Sequence, residues 1–199
     1  MTSWKRAAYL AATGLAVLVT GAVSVTEIAP RLIWNASASV PLGLYVLRPV
    51  GNPSVGDLVA VDPPEPLARF VTARGYVGPG VPLLKRVAAL PGQKVCRVGS
   101  AVTVDGVATA TALARDSRSR DLPVWRGCRV IGGDEIFLLN PGVRDSLDGR
   151  YFGSLPAAAV IGRAIPLWTD AAGDGRFRRP ATGAETAPDP TSNHQPTER

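Results

Sequence analysis

Apolar and polar positions divide this chain into one long charge-free run, a series of short β-like segments and a polar carboxyl end. From Ala7 to Val25 no charged residue occurs, and as a helix rising about 1.5 Å per residue that run nearly matches the hydrocarbon core of a bilayer. Further on, Gly43 to Leu47 and Asp57 to Val61 read as short strands, apolar and β-branched between Pro49, Gly51, Pro53 and Pro63. Pro63-Pro-Glu-Pro66 then opens a brief helix, Leu67 to Arg74. Leu67, Phe70 and Val71 share its apolar face, and Gly75 marks its end. Val81 to Leu90 follows as a buried strand. Val102-Thr-Val-Asp-Gly-Val107 alternates into an Asp-Gly hairpin turn, residues 108 to 123 read as a polar loop, and Ile136 to Leu139 and Val160 to Leu167 supply two more strands. From Asp170 onward Gly, Pro, Thr and Ser dominate, and a disordered tail is expected. There is no internal repeat.

The expected fold is therefore mainly β: an antiparallel, barrel-like domain with a short helix, behind one amino-terminal transmembrane helix. Its divisions are an anchor over 1–30, a folded domain over 31–169 and a tail over 170–199. With 21 glycines and 18 prolines in 199 residues, the turn content suits such a domain. Trp4, Lys5 and Arg6 precede the apolar run, while Glu27 and Arg31 follow it. The positive-inside rule then leaves the amino terminus in the cytoplasm and sends the rest across the inner membrane into the periplasm. Cleavage as a signal peptide is the alternative, because Ala22-Val-Ser24 resembles a processing site; it would give a soluble periplasmic protein. A retained anchor is favoured because the run exceeds a signal core of about 7 to 15 residues. Cys96 and Cys128 both lie in the exported part, where a disulfide between them is expected; two buried free thiols are the alternative.

The net charge of +6 does not make this a nucleic-acid binder. The basic residues are scattered without interleaved aromatics, and Arg115, Arg118 and Arg120 alternate with Asp116 and Asp121. The basic balance is expected to reflect a surface facing an anionic lipid bilayer, or simply genome composition. No metal or cofactor site is expected. Two cysteines and a single histidine, His194 near the carboxyl end, offer no zinc ligand set, and no phosphate-binding glycine loop occurs. The same histidine cannot serve a Ser-His-Asp triad within the folded part.

Nineteen arginines stand against three lysines, yet lysine is what sits in Pro82-Leu-Leu-Lys-Arg-Val-Ala-Ala-Leu-Pro91. A guanidinium stays protonated, whereas an amine among Leu83, Leu84 and Val87 can lose its proton when desolvated. Upstream, Asn35-Ala-Ser-Ala-Ser-Val-Pro-Leu-Gly-Leu-Tyr45 places serines just before a turn. A serine with a neutral lysine makes a peptidase dyad.

Three ordered blocks carry a resemblance: Ser39-Val-Pro-Leu-Gly-Leu-Tyr45, Leu84-Lys-Arg-Val-Ala-Ala-Leu-Pro-Gly92, and Asn140-Pro followed by Asp145-Ser-Leu-Asp-Gly-Arg-Tyr-Phe-Gly153. Together they resemble the TraF-type conjugative-transfer signal peptidases, relatives of bacterial signal peptidase I among the Ser/Lys dyad peptidases. The resemblance runs from about residue 7 to 169. It implies a signal-peptidase-like β fold, with Ser39 as nucleophile, Lys85 as general base and Asp148 as an acidic residue contributing to activity. It also offers Ser37 as an oxyanion-hole hydroxyl and Ser146 as a hydrogen-bond partner of the neutral lysine. Gln93 and Gly149 depart from frequent residues of the wider family, at Asp and Ser respectively. The implied partner is a membrane-associated precursor protein, the pilin of a conjugative type IV secretion system, cleaved and in some enzymes cyclised. The alternatives are a general signal peptidase acting on secretory signal sequences and a non-catalytic component of the secretion apparatus.

Overall fold

The computed structural model describes residues 3–25 and 32–180, with the side chains of 4–21 and 32–180. The chain divides into two units, Met1–Pro30 and Arg31–Arg199. The first holds one helix, α1 (Ser3–Val25), whose described side chains are all exposed.

The expected transmembrane helix is not obtained: among the described residues, no helix is long and apolar enough to cross a membrane. Trp4, Lys5 and Arg6 occupy the first turns of α1, and Thr13, Gly14, Thr20 and Gly21 interrupt the apolar positions that follow, which lowers the apolar character of the described helix. The remainder of the expected run, 22–25, lies outside the residues with described side chains, as does the Ala22-Val-Ser24 site.

The second unit is mainly β. Its strands are β1 (Leu32–Asn35), β2 (Leu42–Arg48), β3 (Leu58–Val61), β4 (Leu83–Ala89), β5 (Lys94–Val98), β6 (Ala101–Val104), β7 (Val107–Thr111), β8 (Gly127–Val130), β9 (Glu135–Leu139), β10 (Leu155–Pro156) and β11 (Val160–Asp170). Seven form one sheet in the order β1-β2-β11-β3-β4-β9-β10, and four form a second in the order β7-β6-β5-β8. Every pairing is antiparallel. The barrel does not close, because the larger sheet ends at β1 and β10. Register shifts at Val87/Ala89, Val160/Gly162 and Pro166/Trp168 bend it instead. Gly43 permits the tightest approach within this sheet: at φ 138°, a Cβ there would lie 2.2 Å from the Trp168 carbonyl oxygen.

Burial follows the pattern of each strand. All four residues of β3 are buried because it lies inside the sheet between β4 and β11. Val40, Tyr45, Leu58, Ala60, Leu84 and Ala164 form one apolar cluster, while Val59, Val61, Val87, Ile136 and Leu138 form another. The four-stranded sheet packs Val95, Val102 and Val104 against Ala89, Ile131, Phe137 and Leu139. Between β3 and β4 comes α2 (Glu65–Ala73), which starts at Pro64 and buries Leu67 and Val71.

Two other regions differ from expectation. Residues 108 to 123 are not simply a polar loop: β7 extends through Thr111, Arg115 bridges to Asp121, and Ala112 and Leu122 are buried against Tyr151. Nor does the fold end before residue 170. Arg178 exchanges backbone hydrogen bonds with Thr169, and the Asp170 carboxylate accepts from Asp174 N and Gly175 N. Phe177 packs on Trp34 and Trp168, which gives this segment an apolar anchor that its Gly-rich composition hid. The rest of the expected tail, 181–199, lies outside the described residues.

Candidate active site

The turn from β1 to β2 carries both serines of the first block. Asn35 ends β1 buried, and its Nδ2 donates to the carbonyl oxygens of Ser37, Val40 and Pro41 at 2.8, 3.0 and 3.1 Å. Its Oδ1 accepts from Ser37 N at 3.1 Å and from Ser37 Oγ at 2.9 Å. From β2, Tyr45 OH donates to Pro41 O at 2.7 Å. Burial pushes the Tyr45 phenol up to about 12, against a smaller opposing effect of Arg86, so it remains a donor at neutral pH. Ser37 Oγ and Ser39 Oγ lie 2.9 Å apart on this turn.

Lys85 occupies the middle of β4, opposite Val59 of β3, with β9 on the other side. Only 5% of it is exposed, and its Nζ donates to Ser146 Oγ at 3.0 Å. Burial lowers its pKa from 10.5 to about 8; Asp148 opposes the shift and Arg150 assists it. The lysine is also bracketed along its own strand. Asn140 Oδ1 accepts from Arg86 N, and Asn140 Nδ2 donates to Leu84 O, so one amide side chain continues the ladder on both sides of Lys85.

Behind the lysine lies a buried ion pair. Asp148 and Arg150, with side chains 0% and 1% exposed, meet at 2.8 Å. Asp148 accepts from the backbone N of Asn140 and of Arg150. Arg150 donates to the carbonyl oxygens of Asn140, Val143 and Arg144. The pair therefore closes the 140–148 loop that presents Ser146. Asp148 caps α3 (Gly149–Phe152), and Arg150 lies within its first turn. Gly149 has no room for a side chain, since a Cβ would sit 2.7 Å from both Leu138 O and the Phe137 ring. The serine that the resemblance would place at this position is thus incompatible with this packing.

Ser37, Ser39, Lys85 and Ser146 line one cleft of about 500 Å³. Val71, Tyr76, Val77 and Val81 add apolar surface. Tyr76 is held from behind, donating to Asp116, which in turn receives Arg120. Asp148 does not line this cleft; with Lys85 it lines a smaller neighbouring pocket, and it contacts Asn140 and Arg150. Cys96 and Cys128 lie apart from these residues in the smaller sheet, joined by a disulfide between β5 and β8. The sequence reading did not single out Asn35 or Asn140. The available signal was a polar amide at the end of each apolar strand, where a backbone ladder needs another partner. Chemically, the cleft combines a hydroxyl able to attack a carbonyl with an amine that begins to lose its proton near pH 8, the components of acyl transfer.

The sequence profile described as "Signal peptidase, peptidase S26" matches residues 6–168. This chain belongs to that family. Its members are serine peptidases in kind, consistent with the groups in the cleft. The chain is 36% identical over 185 residues to a probable conjugal transfer protein TraF of Sinorhizobium fredii (strain NBRC 101917 / NGR234), covering 85% of this chain and 95% of that one. A conjugal transfer protein TraF of Agrobacterium fabrum (strain C58 / ATCC 33970) is 35% identical, over 78% and 93%. A probable signal peptidase I-1 of Synechocystis sp. (strain ATCC 27184 / PCC 6803 / Kazusa) is 31% identical, over 57% and 53%.

Proposed function

We propose that this S26 peptidase is a Ser/Lys-dyad endopeptidase that matures an exported precursor in conjugation, the pilin of a type IV secretion system. The observation that carries this reading is Lys85: nearly buried, held by Ser146, lowered to about 8 by desolvation, and lining the same cleft as Ser39. In this reading neutral Lys85 takes the Ser39 proton as Oγ attacks the scissile carbonyl. A tetrahedral oxyanion forms, Lys85 returns the proton to the leaving amine, and an ester remains on Ser39. Water, or the substrate's own terminal amine, then attacks that ester; the second route releases a cyclic product. Asp148 and Arg150 act through position, holding the loop that keeps Ser146 on the lysine.

The conjugal-transfer reading draws on the names of the relatives that match most of the chain. General removal of signal peptides is the second reading, supported by the Synechocystis relative, which matches about half of its own length. We place the reaction at the periplasmic face of a lipid bilayer, with α1 as the contact, because its Tyr9, Leu10, Leu15 and Leu18 are exposed among the described residues. The test is processing of a co-expressed pilin precursor, followed by intact mass. Ser39→Ala and Lys85→Ala should each leave the precursor uncut. A mature product one water lighter than the linear chain supports cyclisation, a linear product supports hydrolysis, and normal cutting by Ser39→Ala overturns the dyad.

A further inference from the structure

The proton direction within the serine pair follows from Asn35. Its Nδ2 is committed to three carbonyl oxygens, those of Ser37, Val40 and Pro41, which fixes the amide so that Oδ1 faces Ser37. An amide oxygen can only accept. The 2.9 Å contact between Ser37 Oγ and Asn35 Oδ1 therefore uses the Ser37 proton. What remains on Ser37 Oγ is lone-pair density, and the hydroxyl 2.9 Å away belongs to Ser39. In that contact Ser39 must be the donor.

We propose that Asn35 is a positioning residue that makes Ser37 an acceptor, so that the chain Ser39→Ser37→Asn35 orients the nucleophile. This rests on Ser39 being the nucleophile. It changes the expected role of Ser37: with its proton held by Asn35, Ser37 aims Ser39 rather than donating to the oxyanion. Ser39 Oγ is held on one side by a single directed hydrogen bond, and its lone pairs are left for the carbonyl in the cleft. When Lys85 takes the proton, Ser39 exchanges its bond to Ser37 for one to the amine, and Ser37 stays anchored through Asn35. The same amide closes the turn, so the position of the nucleophile and the direction of its proton come from one side chain.

Because Asn35 also closes the turn, the two roles for Ser37 are told apart by how the losses combine. If Ser37 were an oxyanion donor, its loss would multiply with that of Asn35 in a double variant. If Ser37 is the acceptor through which Asn35 acts, Asn35→Ala should slow acylation as much as Ser37→Ala does, and the double variant should be no slower.

The experiment measures the burst of nitrophenolate from a p-nitrophenyl ester with the full-length protein in detergent micelles, for Asn35→Ala, Ser37→Ala, Ser37→Thr, the Asn35/Ser37 double alanine variant and Ser39→Ala. Expected are single-alanine losses of about 30-fold in acylation rate at saturating ester, because a misdirected nucleophile costs on that scale. The KM for the ester should stay unchanged. The double variant should be no slower than either single, as befits groups acting in one chain. Ser37→Thr, which keeps the hydroxyl, should recover most of the rate. A wild-type rate in Asn35→Ala, or multiplicative losses in the double variant, would overturn the proposal. Ser37→Ala leaves the Asn35 bonds to the Val40 and Pro41 carbonyls in place, so a wild-type rate in that variant still overturns the proposal if Asn35→Ala unfolds. A burst that survives in Ser39→Ala would instead remove the nucleophile assignment on which the proposal stands.

Discussion

The two sheets of this protein bury different things. Around β4 the large sheet buries Lys85, Asn140, Ser146, Asp148 and Arg150, a connected set of charges and amides. The four-stranded sheet packs mainly aliphatic residues, Val95, Val102 and Val104, and carries the disulfide. Burying charge is costly unless it is paired. Asp148 and Arg150 meet that condition, each satisfied by the other and by backbone groups. Lys85 has Ser146 as a neutral hydrogen-bond partner and the Asp148 charge only partly offsets its burial, so its pKa is lowered. Polar burial in the large sheet thus prepares an amine for proton transfer, while the small sheet supplies stability. The two sheets share an apolar cluster, Arg129 of β8 pairs with Glu135 of β9, and Arg97 of β5, itself buried, donates to the Arg150 carbonyl oxygen.

If this division holds, perturbations should separate rate from stability. The largest effect falls on rate. Lys85→Arg keeps a cation but cannot deprotonate, and precursor cleavage should fall roughly 10³-fold or more; substantial cleavage by this variant would remove lysine as the base. Next, Asp148→Ala strands a buried guanidinium and should cost about 3–5 kcal/mol in denaturant unfolding. Cleavage should fall as well, because the loop holding Ser146 loosens. Wild-type stability there would mean that Arg150 finds another partner. Replacing Cys96 and Cys128 together by serine opens a crosslink between residues 32 apart. Stability should drop by about 3–4 kcal/mol in the chain-entropy model, with kcat unchanged where the protein is folded. A fall in kcat would show that the small sheet reaches the site, through Arg97.

The smallest effect has the opposite sign. Because the folded pKa of Lys85 lies below its ordinary value, the native state releases a proton before the unfolded state does. Stability should therefore rise with pH between about 8 and 10.5. Below that window the whole penalty applies. Lys85→Met should remove it, raising stability at pH 7 by roughly 3 kcal/mol while abolishing cleavage. Unchanged or lower stability in this variant would mean that the lysine is better solvated than its burial implies.

The parts of the fold legible in the sequence were those with strong local pattern. The four-residue core of β3, the apolar face of α2 and the Asp-Gly turn between β6 and β7 needed only their own residues. β1, β5 and β8 were missed because their identity comes from pairing. Gly127-Cys-Arg-Val130 is exposed throughout and is a strand only because β5 lies beside it. The carboxyl segment was misread for a related reason: Phe177 is a lone aromatic in sequence, and its partners Trp34 and Trp168 are distant along the chain. At the site, Ser39 and Lys85 stood out by residue type and by context. Asn35 and Asn140 did not, because what an amide does depends on which carbonyl and N–H groups the fold brings to it. Asp148 was legible as a residue of interest, but its buried pairing with Arg150 was not, because Arg150 is drawn to it by the fold of the 140–148 loop.

The central claim, that the fold holds Lys85 near neutrality, is open to direct measurement. With only three lysines, Lys5, Lys85 and Lys94, a pH titration of protein labelled with ¹⁵N-lysine would resolve each amine, and Lys85→Met would assign the missing signal. The account predicts one amine titrating near 8. A Lys85 signal that remains protonated beyond pH 10 would contradict it.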